Sequence, residues 1–255
     1  MDVTIVGCSG SFAGPRSPAS SYLVRAEHEG RKWSIVLDLG NGALGALQRH
    51  IQPYAVDAVL LSHLHVDHCI DMCGLYVMMR YLPGGPGRST MPVWGPSGTG
   101  VHLARAYGGG EGEGVLGVFD FHDLRHRESV TIGPFTITPV RVNHPVEAYG
   151  FRVEADGQVL AYTGDTDTCD QLDELMTGAD LVLADSAFVE GRDSVPDIHL
   201  SGRRAAEAAV RAGGVERLML THIPAWNDPE VCRQQAAAVW PGCVELAEPD
   251  ATYRL

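Results

Sequence analysis

The chain has 255 residues, and a hydrophobic share of 45% is enough for one α/β domain spanning 1–255 to bury a sizeable core. A formal net charge of -13 disfavours nucleic acid, whose phosphates are gripped by clustered Lys and Arg, and points to a small-molecule partner. No apolar run approaches the roughly 20 residues of a membrane span, and the N-terminus lacks a basic stretch before an apolar one, so a cytoplasmic protein without leader or membrane anchor is expected.

In chain order, residues 3–7, 21–26, 33–38 and 57–61 are short β-branched or apolar runs bounded by Gly, Pro, Ser or charges, and they predict strands. Leu44, Leu47 and Ile51 have helical spacing after Gly40 to Gly42, and Met72, Leu75, Met79 and Leu82 repeat it after His68 until Pro83. Cys69 and Cys73 would share a face of that second helix. The six cysteines lack the density of a disulfide framework and are expected as reduced thiols. Segment 107–117, rich in Gly and Glu, is a loop that could serve as a lid. Further strands are expected near 129–132, 135–143, 148–154, 158–163, 180–184 and 216–221, with helices near 168–177, 202–212 and 228–239. Two halves of strands followed by helices suggest an αβ/βα sandwich.

The informative run is Ser62-His63-Leu64-His65-Val66-Asp67-His68, directly after the apolar strand 57–61. Three imidazoles and a carboxylate so close together are hard to explain as packing. His63 and His65 point the same way in extended chain and can grip one ion. Asp67 and His68 follow as the chain turns into a helix, which swings them toward a neighbouring ion. The remaining donors must come from other strand ends: His144 follows strand 135–143, Asp165 follows 158–163, and His222 follows 216–221. His28, His50, His102, His122 and His126 lie in charged or loop contexts and read as ordinary surface or hydrogen-bonded histidines.

These residues, with Gly7-Cys8-Ser9-Gly10-Ser11 and Asp38-Leu39-Gly40, resemble the metallo-β-lactamase superfamily over almost the whole chain. The resemblance implies the four-layer αβ/βα fold and two divalent ions. His63, His65 and His144 would hold the first, Asp67, His68 and His222 the second, and Asp165 would bridge them. Asp38 would be a buried structural acid. Imidazole and carboxylate donors suit Zn²⁺ first, with Mn²⁺ or Fe²⁺ as alternatives.

The bridging Asp165 sets the chain apart from true β-lactamases. Gly164-Asp165-Thr166, Asp197-Ile198-His199-Leu200-Ser201 and Thr221-His222 are similar to the ribonuclease-Z-like branch, whose catalytic histidine corresponds to His199; Ser201 replaces that motif's threonine but keeps a hydroxyl. The bacterial ribonuclease carries a basic arm between its third histidine ligand and the bridging aspartate, and the interval from His144 to Asp165 has room for one hairpin only. With the acidic charge, this favours the small-substrate relatives, the atypical class II cyclic-AMP phosphodiesterases, to which Ser17-Pro18-Ala19-Ser20 and Arg141-Val142-Asn143-His144-Pro145 are also similar.

The resulting expectation is a phosphodiesterase acting on a cyclic nucleotide, in which two ions about 3.5–4 Å apart acidify a shared water. Asp67 would orient or deprotonate that water, and His199 would protonate the leaving 3′-oxygen. Asp185 would hold His199 through its other ring nitrogen, Ser62 and Thr221 would support adjacent ligands, and the Gly7 to Ser11 turn could lend amides to a phosphate. The competing readings are a transfer-RNA 3′-processing endonuclease, a thioester or lactone hydrolase on the same site, and a metal-binding protein without activity. Relatives are often dimers, which leaves a homodimer open.

Overall fold

The computed structural model describes residues 1–87, 90–109 and 115–255. Strands β1 (Asp2–Gly7), β2 (Ser21–His28) and β3 (Arg31–Leu37) form an antiparallel meander. Helix α1 (Ala43–Leu47) leads to β4 (Ala58–Leu60), which runs parallel to β3. Helices α2 (Val66–Cys69) and α3 (Met72–Tyr81) follow, then β5 (Met91–Gly95), α4 (Thr99–Ala106) and β6 (Phe119–Asp123). The second half repeats the plan. Its meander is β7 (Val130–Ile132), β8 (Phe135–Arg141), β9 (Tyr149–Ala155) and β10 (Gln158–Tyr162). Then come α5 (Gln171–Met176), β11 (Leu181–Asp185), α6 (Gly202–Ala212), β12 (Leu218–Thr221) and α7 (Pro229–Ala237), with β13 (Val244–Leu246) and β14 (Thr252–Arg254) last.

The strands form two seven-stranded mixed sheets, ordered β14-β1-β2-β3-β4-β5-β6 and β13-β12-β11-β10-β9-β8-β7. Between them lies a buried apolar layer that includes Ile5, Tyr22, Ile35, Leu37 and Leu60 from one sheet and Phe135, Phe151, Val153, Tyr162 and Leu183 from the other. The outer face of the first sheet packs Leu23, Val36 and Val59 against Leu47, Met72, Leu75 and Leu103 of its helices. The second does the same with Val182 and Leu220 against Leu172, Leu175, Ala205 and Ala209. This is the αβ/βα sandwich expected from the sequence. Central strands are covered on both faces, which is why β4 and β11 read as unbroken apolar runs rather than alternating ones.

Five elements go beyond the sequence-based expectation. Strand β5 contains Pro92, a residue that argues against a central strand; it is accommodated because pairing with β4 starts at Val93, one residue later. Strand β6 is an edge with mostly exposed side chains, α4 is short, and β13 and β14 have three residues each. The helix expected after His68 is divided at Ile70-Asp71, so Cys69 and Cys73 belong to different helices. The described cysteines are all free thiols. Of the segment considered as a lid, residues 110–114 lie outside the described residues.

Candidate metal centre

All the donors singled out in the sequence emerge where strands end: β4 precedes His63 to His68, β8 precedes His144, β10 precedes Asp165, and β12 precedes His222. Parallel strands place these ends at one rim of the sandwich. His63, His65 and His144 form one group and Asp67, His68, Asp165 and His222 a second, the donor atoms within each lying within 4.8 Å of one another. In the first, His65 Nδ1 is 3.1 Å from both His63 Nε2 and His144 Nε2. In the second, Asp165 Oδ1 lies 3.1 Å from His68 Nε2 and Asp165 Oδ2 lies 3.2 Å from His222 Nε2. Asp165 also joins the groups, its Oδ2 being 3.6 Å from His63 Nε2.

The free ring nitrogens are set by what the opposite nitrogens touch. His144 Nδ1 lies 2.9 Å from the Ile198 carbonyl and His68 Nδ1 lies 2.7 Å from Asp38 Oδ2; both partners only accept, so each Nδ1 carries the proton. The Ser62 hydroxyl donates to Asp38, so His63 Nδ1, 3.0 Å from Ser62 Oγ, must donate to it. His222 Nδ1 is placed similarly, 2.9 Å from Ser20 Oγ. These contacts turn Nε2 lone pairs inward, the usual device for orienting metal-binding imidazoles. His68 Nε2, His222 Nε2 and Asp165 Oδ1 are buried without a hydrogen-bond partner. Orphaned buried acceptors facing each other are costly without a cation, and the donor set therefore fits two divalent ions.

Charge among these groups is strongly coupled. Burial pushes the His63 imidazolium down, and His68 reinforces that. Burial also disfavours charge on His68, but Asp165 and Asp38 more than offset it and hold its pKa well above the ordinary value, so a divalent ion taking up the Nε2 lone pair would displace a proton there. Burial would raise the Asp165 carboxyl, yet His222, His68 and His63 hold it well below the usual carboxylate range.

Asp38 anchors the metal loop. It is fully buried and accepts hydrogen bonds from Ser62 N (2.6 Å), Ser62 Oγ (2.8 Å) and Tyr162 OH (2.7 Å) besides His68. Leu39 N donates to the His68 carbonyl at 2.7 Å, and a Cβ added to Gly40 would fall 1.9 Å from the Asp67 carbonyl oxygen. Glycine is required there by close approach of two backbones. Tyr22 reciprocates Tyr162 across the sheets: its hydroxyl lies 2.7 Å from Thr221 Oγ1, beside His222, and the two tyrosine rings pack with centroids 4.7 Å apart. Asp38 and His222 both have positive φ, conformations costly for non-glycine residues and maintained only where the surroundings hold them.

His199 flanks the second donor group. Its Nδ1 is 2.9 Å from Asp185 Oδ2 and 3.9 Å from Asp165 Oδ2, and its ring centroid is 5.3 Å from that of His222. Burial lowers its pKa, but Asp185 and Asp165 outweigh burial and raise it to about 9. The fully buried Asp185 also accepts from Thr166 N and Ala187 N, leaving it little freedom to turn away.

Residues outside the sequence reading complete this support. Arg204 binds Asp167 Oδ1 at 2.5 Å and Glu190 Oε1 at 2.9 Å. Asp167 Oδ2 accepts from Asp197 N at 2.9 Å, and Glu190 accepts from the Ser201 hydroxyl. One guanidinium thus fastens both ends of the 197–201 segment that carries His199. Tyr22 and Tyr162 were equally invisible, since a core Tyr has no distinguishing pattern, and Ser20 was noted only as part of the Ser17 to Ser20 run, with no role assigned. His50 pairs with Asp250, His122 stacks on Trp94 and His126 receives a bond from Arg141 N, all away from these donors.

A family model described as a beta-lactamase superfamily domain matches residues 34–223. The chain belongs to that superfamily. Within the beta-lactamase superfamily it is 44% identical over 256 residues to the uncharacterized protein Rv1339 of Mycobacterium tuberculosis, covering 99% of this chain and 92% of the relative. It is 29% identical over 251 residues to the probable metallo-hydrolase YhfI of Bacillus subtilis, covering 97% of each. The YhfI crystal structure superposes with a TM-score of 0.84 at 26% identity, covering 99% of each chain. Ribonuclease Z of Mycobacterium bovis is 29% identical over 281 residues, covering 96% of this chain and 95% of that protein. With this superfamily membership and this donor set, the protein is a metal-dependent hydrolase of metallo-β-lactamase fold. Among the described residues no helix is long and apolar enough to cross a membrane.

Proposed function

We propose that this protein is a dinuclear phosphodiesterase acting on a small substrate, a cyclic nucleotide of the cyclic-AMP type. The observation that carries the reading is Asp165, which sits among Asp67, His68 and His222 and reaches His63 of the other donor group at 3.6 Å, with His199 on a buried carboxylate at their edge. His63, His65 and His144 would hold one ion and Asp67, His68 and His222 the other, with Asp165 common to both. Two divalent ions held there would neutralise phosphate oxygens and make a water acidic enough to attack phosphorus at neutral pH.

The chain's own groups supply the rest. Burial would raise the Asp67 carboxyl, but His68 and His222 hold it below the usual range, so it stays ionised and orients the attacking water. As the bond from water oxygen to phosphorus forms and the bond to the 3′-oxygen breaks, His199 donates its Nε2 proton to the departing oxygen. Its Nδ1 contact with Asp185 leaves Nε2 as the nitrogen free to act. An acid is needed because an alkoxide is a poor leaving group.

The likeness to ribonuclease Z supports phosphodiester chemistry and keeps RNA as the second reading. The interval from His144 to Asp165 is occupied by the β9–β10 hairpin, and the net charge of -13 opposes a polyanion, so a mononucleotide is preferred. The test is a substrate panel with Mn²⁺ or Zn²⁺ added: 3′,5′-cyclic AMP, precursor transfer RNA, an acyl-glutathione and a homoserine lactone. Cyclic AMP should be hydrolysed with the highest kcat/KM. A higher value for the thioester or lactone would overturn the phosphodiesterase reading, and one for the RNA would overturn the small-substrate choice.

A further inference from the structure

Two loops beside the metal centre carry features that neither folding nor metal binding explains. The loop after β1 packs on the loop after β12: a Cβ added to Gly10 would lie 2.2 Å from the His222 carbonyl oxygen and 2.9 Å from His222 Cδ2. Phe12 N bonds back to the Gly10 carbonyl at 2.7 Å, which keeps Phe12 within one tight turn of that imidazole. Phe12 and Trp226 come from these two loops and pack together, with centroids 4.8 Å apart and planes at 47°. Both remain exposed, Trp226 at 64% and Phe12 at 37%, so Trp226 contributes little of its apolar area to the fold.

The same loops, with residues 246–250, line a partly open cavity of about 520 Å³ whose wall includes Ser9, Gly14, Ile223, Pro224, Ala225 and Asn227 but neither ring. Ser9 Oγ and Asn227 Oδ1 are buried without a hydrogen-bond partner, while Asn227 Nδ2 is committed to the Ala187 carbonyl at 2.8 Å. The exposed ring pair matches a flat group with apolar faces. Gly10 packs on His222 and Ile223 follows it in the chain, so both loops that carry the ring pair border the metal centre.

We propose that the loops 8–17 and 222–229 form a nucleobase subsite, with Trp226 and Phe12 as the stacking surface. The proposal rests on the phosphodiesterase reading and names the part of the substrate that the metal centre does not contact. Stacking of a base on an aromatic ring is sequence-tolerant and readily measured by alanine substitution.

The test compares two esters with one leaving group, a nucleoside 5′-(4-nitrophenyl) phosphate and methyl 4-nitrophenyl phosphate. Wild-type protein should prefer the nucleoside ester in kcat/KM, and Trp226→Ala should reduce that preference about tenfold, with a smaller loss for Phe12→Ala. An unchanged preference in both variants overturns the subsite. Titration of AMP into metal-stripped protein gives an independent readout: tryptophan fluorescence should be quenched in wild type and not in Trp226→Leu. If neither ester is hydrolysed, the phosphodiesterase reading falls and the quenching alone decides; absence of quenching, or quenching equal in both proteins, overturns the subsite. A dimer lost in Trp226→Ala with substrate preference intact would assign the rings to a second copy of the chain and likewise overturn it.

Discussion

Asp165 and His199 lie 3.9 Å apart, yet their surroundings assign them different work. Asp165 is ringed by the free nitrogens of His63, His68 and His222, so Asp165→Ala should reduce bound divalent metal below two per chain, read by elemental analysis, with activity lost alongside. His199→Ala should leave metal content at the wild-type level while kcat falls about 100-fold or more, the scale of a lost general acid; metal loss in that variant would place His199 among the ligands. Asp38 belongs to a third class. Its removal would leave Ser62 N, His68 Nδ1 and Tyr162 OH without their buried acceptor, so Asp38→Ala should cost about 3 kcal/mol or more in urea unfolding. A change below about 1 kcal/mol would show that water replaces the carboxylate.

At the scale of elements, parallel strands bring the donors to one rim, and the loops that continue them need fastening. The metal loop is held by the Asp38-Leu39-Gly40 backbone. The His199 segment is held differently, through Arg204 and the carboxylates of Asp167 and Glu190. Arg204→Ala should therefore lower kcat about tenfold with little change in KM, since small misplacements of a catalytic group are costly, and metal content should stay constant. Partial recovery of kcat with added methylguanidine would separate positioning from general destabilisation. A variant whose kcat and KM both match wild type would show that the segment is held without the guanidinium.

For the molecule as a whole, the candidate metal centre sits where the two sheets meet, so ions held there would tie together sequence positions from His63 to His222. Saturation at about 100 times Kd stabilises the native state by about 2.7 kcal/mol, which for a chain of this size is a rise of roughly 5–10 °C in Tm. Zn²⁺ added to stripped protein should produce that rise in differential scanning fluorimetry, and a chelator should reverse it. An unchanged Tm would mean that the donors hold no ion under those conditions. The unsatisfied His68 Nε2, His222 Nε2 and Asp165 Oδ1 are the reason for expecting a change.

The metal-loop histidines, the strand-end donors and the outline of the sandwich were legible in the primary sequence because each is local: a cluster in one run, or a polar residue just past an apolar strand. Pro92 concealed β5, and three-residue strands such as β13 and β14 carry too little pattern to register. Only the folded chain decided that Tyr162 would reach Asp38 across the sheets, that Ser20 would orient His222, and that Arg204 would clamp the His199 segment. It alone brought Phe12 against Trp226. Those pairs are far apart in the chain and made of common residue types, so their meaning arises from distance in space, which local periodicity does not encode.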